Sequence, residues 1–191
     1  VIQQMIDSQK AGTAFSLDPA SGLPNVVAID ANHFLGESVV GGLVTPDNYL
    51  VTNDEKLIVK TLGPKALKVI RNPEGSGSII VKTTDEEAFS WVLTDEQCRE
   101  IARMVRAVHN HYGMAMDTEF AIDKDGTIYL VQARPETKHN EQARKHPGTI
   151  PMKRKEVPDT VAKEARKIIS GDGVSIGAVT GKVFYVEEIT P

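Results

Sequence analysis

Short apolar runs separated by Gly, Pro, Asn and Asp set the pattern of the first half of the chain. Residues 12–17 predict a strand, stopped by the turn-forming string Asp18-Pro19-Ala20-Ser21-Gly22. Residues 26–29 predict a second, buried strand, and 49–52, 57–61, 65–70 and 78–82 predict further ones. The opening residues Val1 to Ile6 also read as strand. Thr94 then starts the one clear helix. Thr94 and Gln97 fit a capping box, and Cys98, Ile101, Ala102, Val105 and Val108 recur at helical spacing. Gly113 is the expected stop, so Asp95 to Tyr112 predicts an amphipathic helix on a sheet.

Residues 116–122 and 127–134 predict a hairpin around Asp125-Gly126, a strong two-residue turn signal. Over 138–167 the chain is rich in Lys, Arg and Glu, carries Pro147, Pro151 and Pro158, and reads as a linker. From Ile168 it becomes apolar and glycine-rich again, as at the start of a second domain. Both ends read as cut, so the chain is expected to be a piece of a longer protein. Its 191 residues fit one domain with part of another.

Composition narrows the function. The net charge of −4 gives no basic patch of the kind that binds nucleic acid, so no nucleic-acid partner is expected. With 40% hydrophobic and 25% charged residues the chain can bury a core. No apolar run has the length of a membrane span and no leader pattern is visible. Cys98 is the one cysteine, which fits a reducing cytoplasm, and its place on the apolar helix face predicts a buried thiol. Trp91 is expected as core or interface filler, and His109, His111, His139 and His146 as capping or solvated side chains.

The hairpin carries the chemistry. With Asp125 and Gly126 as the two loop residues, Lys124 pairs with Thr127, Glu119 faces Gln132 and Asp117 faces Arg134. These four polar side chains then share one face, and Phe120, Ile122, Tyr129 and Val131 the other. A carboxylate beside an amide oxygen is a hard-oxygen pair suited to Mg²⁺. An arginine two residues on can hold a phosphate bidentately. The same pattern also fits an ordinary solvated face with an Asp117–Arg134 pair. A three-residue loop would put Glu119 and Gln132 on opposite faces.

Several strings resemble one family in order along the chain. Val131-Gln132-Ala133-Arg134-Pro135-Glu136-Thr137 resembles the signature that closes the ATP-grasp domain of phosphoenolpyruvate synthases. His111-Tyr112-Gly113 with Met116-Asp117-Thr118-Glu119-Phe120 resembles the segment before it. Leu35-Gly36-Glu37-Ser38-Val39-Val40-Gly41-Gly42 with Thr45-Pro46-Asp47-Asn48-Tyr49 resembles the family's Gly-Leu-Gly-Glu loop and following turn. Gly12 to Gly22 resembles its strand and Asp-Pro-x-x-Gly turn. Gly171-Asp172-Gly173-Val174-Ser175-Ile176-Gly177 with Thr180-Gly181-Lys182-Val183 resembles the start of the swivelling phosphohistidine domain. The chain thus resembles the superfamily of phosphoenolpyruvate synthases, pyruvate phosphate dikinases and rifampin phosphotransferases.

The resemblance implies an α+β fold. Residues 1–137 would form the C-terminal portion of an ATP-grasp nucleotide-binding domain, 138–167 a linker, and 168–191 the truncated start of the phosphohistidine domain. It implies ATP and Mg²⁺ as cofactors, with Glu119 and Gln132 on the metal and Arg134 on the phosphate chain as the catalytic contact. Glu37 would line the same cleft. The longer protein would convert ATP, pyruvate and water to phosphoenolpyruvate, AMP and phosphate through a phosphohistidine. Pyruvate would bind in a separate barrel, and a homo-oligomeric parent is compatible. The chain alone would then be inactive, since no histidine here has the phosphohistidine context. Asn32-His33-Phe34 departs from the family's Ala-Trp-Gly, with Phe34 in place of the first loop glycine, and Gly41 replaces a common glutamine. Alternative readings keep the mechanism with another acceptor, as in the dikinase or the rifampin enzyme, or make the chain a non-catalytic nucleotide-binding module.

Overall fold

The computed structural model describes residues 2–56 and 58–145, all within the first of two compact units, Val1–Lys153. The features read at 146–191, including the rest of the expected linker and the second domain, lie outside the described residues. Among the described residues, eight strands and four helices follow in order. They are β1 Ser8–Phe15, β2 Val26–His33, α1 Glu37–Val40, β3 Asp47–Thr52, β4 Ile58–Thr61, β5 Leu67–Arg71, β6 Ser78–Lys82, α2 Asp85–Phe89, α3 Asp95–Tyr112, β7 Met116–Asp123, β8 Ile128–Pro135 and α4 Thr137–Lys145. The architecture is α+β. A six-stranded antiparallel sheet runs β4-β3-β2-β1-β7-β8, and β5-β6 form a separate hairpin. Residues 2–6, expected as strand, have no regular structure.

Alternation decides which face of the sheet is dry. Val27, Ile29 and Ala31 of β2, Tyr49 and Val51 of β3, and Phe120 and Ile122 of β7 meet Cys98, Ile101, Ala102 and Val105 of α3 in one core. Burying Ile or Val side chains of this kind stabilises by about 1.5–3 kcal/mol each. The helix spans the predicted Asp95–Tyr112, and its bounds are local chemistry. Thr94 accepts from the Gln97 amide at 3.2 Å, Gln97 returns a bond to the Thr94 amide, and Gly113 closes the helix at φ 64°. Thr94→Ala is expected to lower stability by about 1 kcal/mol, read as a lower urea midpoint with an unchanged m-value.

Several expectations change. Lys124, Asp125 and Gly126 form a three-residue loop, because Asp123 and Thr127 still pair and Gly126 takes φ 84°. Asp123 sets this turn by accepting from the amides of Asp125 and Thr127, each at 2.9 Å. The inward residues of β8 near the loop are therefore Ile128 and Leu130, not Tyr129 and Val131. Residues 138–145, placed in the expected linker, are helical, in α4. His139 is buried instead of solvated, its Nε2 lying 3.1 Å from the Pro19 carbonyl. Trp91 is not core but partly exposed, tilted against Tyr49 with the Lys60 ammonium over its ring. His109 is half-buried rather than free, 3.0 Å from Ser16 Oγ. Cys98 is buried as predicted, and burial pushes its thiol up to about 12.

Candidate functional site

A three-residue loop by itself would have separated Glu119 from Gln132. The register shift between Glu119 and Phe120 undoes that. Phe120 pairs with Leu130, Glu119 pairs with Gln132, and Val131 is the extra residue of a β-bulge. Beyond the bulge Asp117 faces Arg134. Gln132 Nε2 donates to Glu119 Oε1 at 3.1 Å, so Glu119 Oε2 and Gln132 Oε1 remain as neighbouring hard oxygens. Arg134 donates from Nε and Nη2 to Asp117 Oδ2, both at 2.8 Å, which leaves Nη1 free to point elsewhere.

These side chains lie on the sheet face opposite α3, and cross-strand register extends the row they belong to. Asn48, Asp30, Thr13, Glu119 and Gln132 stand side by side on β3, β2, β1, β7 and β8. Thr13 and Asp30 were not among the residues singled out in the sequence. No local signal gives either of them a role in the site, and only the pairing of distant strands brings them beside Glu119. Asn48 Nδ2 donates to Asp30 Oδ1 at 2.9 Å, yet burial raises the Asp30 pKa, and the Asp18 carboxylate adds to the shift. A carboxyl with a raised folded-state pKa holds its proton more tightly folded than unfolded. Stability then falls as pH rises through the interval between those two values. Asp30→Asn is expected to stabilise the protein at pH 7 and to lose that advantage below the unfolded carboxylate value of about 3.9. Urea midpoints measured across that range check it.

Glu37 reaches the same face from α1. Phe34 turns the chain there in the left-handed region, φ 62°, a conformation that favours glycine. It is held by its amide on the Gln9 carbonyl and by Ser8 Oγ on its own carbonyl, each at 2.8 Å. The Lys68 ammonium lies 4.5 Å from the centre of its ring. Asn32 fixes the next turn by donating to Ser38 Oγ and to the Leu67 carbonyl, each at 2.9 Å. The result is a cavity of about 620 Å³ between α1, β1, β7 and the segment before β1. Both Glu37 and Glu119 line it, along with the backbone at Gly12 and Gly36 and the apolar Met5, Ile6, Leu35 and Val131. Gly12 is obligatory, since a Cβ there would sit 1.8 Å from the Asp30 carbonyl oxygen. Gln132 and Arg134 are outside the lining and continue the polar rows away from it.

The donor set fits magnesium, which takes few protein oxygens and completes its shell with phosphate and water. Among the described residues no group of three or more His, Cys, Asp or Glu side chains is placed to hold a metal ion by itself. Glu136 is a helix cap, accepting from the Lys138 amide at 3.0 Å and the His139 amide at 2.8 Å. Among the described residues no helix is long and apolar enough to cross a membrane.

A volume of this size, apolar walls and a few convergent polar groups define a small-molecule binding domain. Comparison with known proteins gives the ligand class. A model of the pyruvate phosphate dikinase AMP/ATP-binding domain matches residues 1–155, and the chain belongs to that family. It is 39% identical to the phosphoenolpyruvate synthase of Pyrococcus furiosus over 97% of this chain and 22% of that protein. It is 34% identical to a probable phosphoenolpyruvate synthase of Archaeoglobus fulgidus over 96% of this chain and 23% of that protein. It is 37% identical to the phosphoenolpyruvate synthase of Pseudomonas aeruginosa over 71% of this chain and 19% of that protein. The chain therefore spans about a fifth of the length of the curated relatives it matches.

Proposed function

We propose that this chain supplies part of the MgATP site of a phosphoenolpyruvate synthase. The longer protein would convert ATP, pyruvate and water to phosphoenolpyruvate, AMP and phosphate through a phosphohistidine carried outside the described residues. The observation that carries the reading is the pairing of Glu119 with Gln132 across β7 and β8, beside a cavity that Glu37 also lines. In this reading residues 1–137 are the C-terminal portion of an ATP-grasp domain, 138–167 joins it to the next domain, and 168–191 starts the phosphohistidine domain. The names of the relatives and the nucleotide-binding family support the assignment.

Phosphoryl transfer asks a protein mainly for position and electrostatics. Glu119 Oε2 and Gln132 Oε1 would hold Mg²⁺, which when bound neutralises charge on the phosphate oxygens. Arg134, aimed by Asp117, offers a planar N–H edge to the phosphate chain. Glu37 borders the same space and orients the nucleotide or its hydrated cation. The apolar walls of the cavity would shield contacts made at Glu37 and Glu119 from water and so strengthen them.

The test is ATP consumption by the full-length protein with pyruvate, with and without added phosphate, identifying the phosphorus products. AMP and phosphate, formed only with pyruvate and without added phosphate, support the synthase. Pyrophosphate formed in a phosphate-dependent way identifies a dikinase, and no turnover with pyruvate moves the search to other acceptors.

A further inference from the structure

The cavity has two carboxylates, Glu37 and Glu119, and no lysine or arginine among its lining residues. A polyphosphate placed there would bring several more negative charges into the same space. Carboxylate and phosphate repel strongly when water is excluded, so cationic side chains must approach from beyond the lining. Arg134 is held on Asp117. The β5–β6 hairpin supplies a second candidate from the other side.

That hairpin is fixed to the wall of the cavity. The Leu35 amide donates to the Val69 carbonyl at 3.0 Å, and Phe34 bridges to Val69. Ser78, the first residue of β6, donates from Oγ to Glu37 Oε2 at 2.8 Å. Arg71 is the cross-strand partner of Ser78, so both side chains leave the hairpin on one face. Val69, two residues earlier on the same face, is buried toward the protein body, which sets the direction in which Arg71 projects. Arg71 is itself exposed, and its side chain has no hydrogen bond or ion pair among the described residues.

We propose that Arg71 is a phosphate-binding residue of this cavity, delivered by the β5–β6 hairpin, and that Ser78 sets its distance from Glu37. The inference rests on the reading of the cavity as the nucleotide site. An arginine free of intramolecular partners gives its N–H fork to a phosphate without first breaking an ion pair. The Ser78–Glu37 bond fixes the strand pair that carries Arg71 beside the carboxylate edge, where the phosphates have most need of a counter-charge.

The experiment is calorimetric titration of the full-length protein with MgATP and, separately, with AMP. It compares wild type, Arg71→Ala, Arg71→Lys and Glu37→Ala. Arg71→Ala is expected to weaken MgATP about 10-fold and to leave AMP binding unchanged. Arg71→Lys should recover part of the loss, because it restores the charge without the fork. The thermal midpoint should not move, since Arg71 is exposed and unpaired. Unchanged MgATP affinity in Arg71→Ala overturns the proposal, as does an equal fold-loss for AMP. If Glu37→Ala weakens MgATP while Arg71→Ala does not, the nucleotide reading stands and only Arg71 falls. If neither variant matters, both fall together.

Discussion

Asp47→Ala is expected to lower the unfolding free energy by about 3–5 kcal/mol, the usual cost of leaving one member of a buried ion pair alone. Asp47 and Lys65 are fully buried, with Lys65 Nζ 2.5 Å from Asp47 Oδ1. The carboxylate does more than pair. Its Oδ1 also accepts from the Gly63 amide at 2.9 Å, and its Oδ2 accepts from the Val92 amide at 2.9 Å and from the Tyr49 hydroxyl at 3.2 Å. Burial raises the Tyr49 pKa, so the hydroxyl stays protonated and remains a donor. One side chain thus ties the start of β3 to the loop before β5 and to the residues that lead into α3. Alanine would strand an ammonium, two amides and a hydroxyl in a dry place. Lys65→Met should cost less, since Asp47 keeps three donors. Urea unfolding at neutral pH measures both. A loss below about 1 kcal/mol for Asp47→Ala would place the pair with exposed salt bridges and refute its role as a hub.

Arg134→Ala is expected to reduce the ATP-dependent turnover of the full-length protein by about 10²–10³-fold, the loss seen when one preorganised donor to developing charge is removed. Its stability should hardly change. The Arg134 side chain is 63% exposed, and an ion pair so open to water contributes about 0.2–1 kcal/mol. The two readouts separate the competing accounts of this face. Turnover lost with stability retained means the guanidinium acts on the nucleotide. Turnover retained means Arg134 and Asp117 are only a surface pair. Arg134→Lys should recover little, because an ammonium cannot present two parallel N–H groups. Asp117→Asn, which loosens the guanidinium without removing it, should fall between wild type and Arg134→Ala.

Both arguments use residues that the sequence treats unequally. Arg134 and Glu119 stand in strings that resemble a known family, so they could be named before any coordinates. Asp47 also stands in such a string, but nothing local says that its carboxylate meets Lys65 and Val92. Asp30 stands in none of these strings, and Thr13 stands in one that gives it no role. The hairpin is the most instructive case. Asp125-Gly126 suggested a two-residue loop, and Asp123 instead organises a three-residue one through its side chain. The longer loop would have turned Gln132 away from Glu119, had the bulge at Val131 not restored the pairing.

Local chemistry was enough for α3, where a capping threonine, an apolar stripe and a terminal glycine act within a few residues of one another. It was enough for the order of the eight strands from β1 to β8, since alternation and turn residues are also short-range, but it also put a strand at the opening residues, where there is none. Register across strands is not short-range. It depends on how bulges, loop lengths and neighbouring strands add up, and a single inserted residue exchanges the two faces. That is why the row from Asn48 to Gln132, the cavity shared by Glu37 and Glu119, and the buried hub at Asp47 were decided only when the sheet closed around α3.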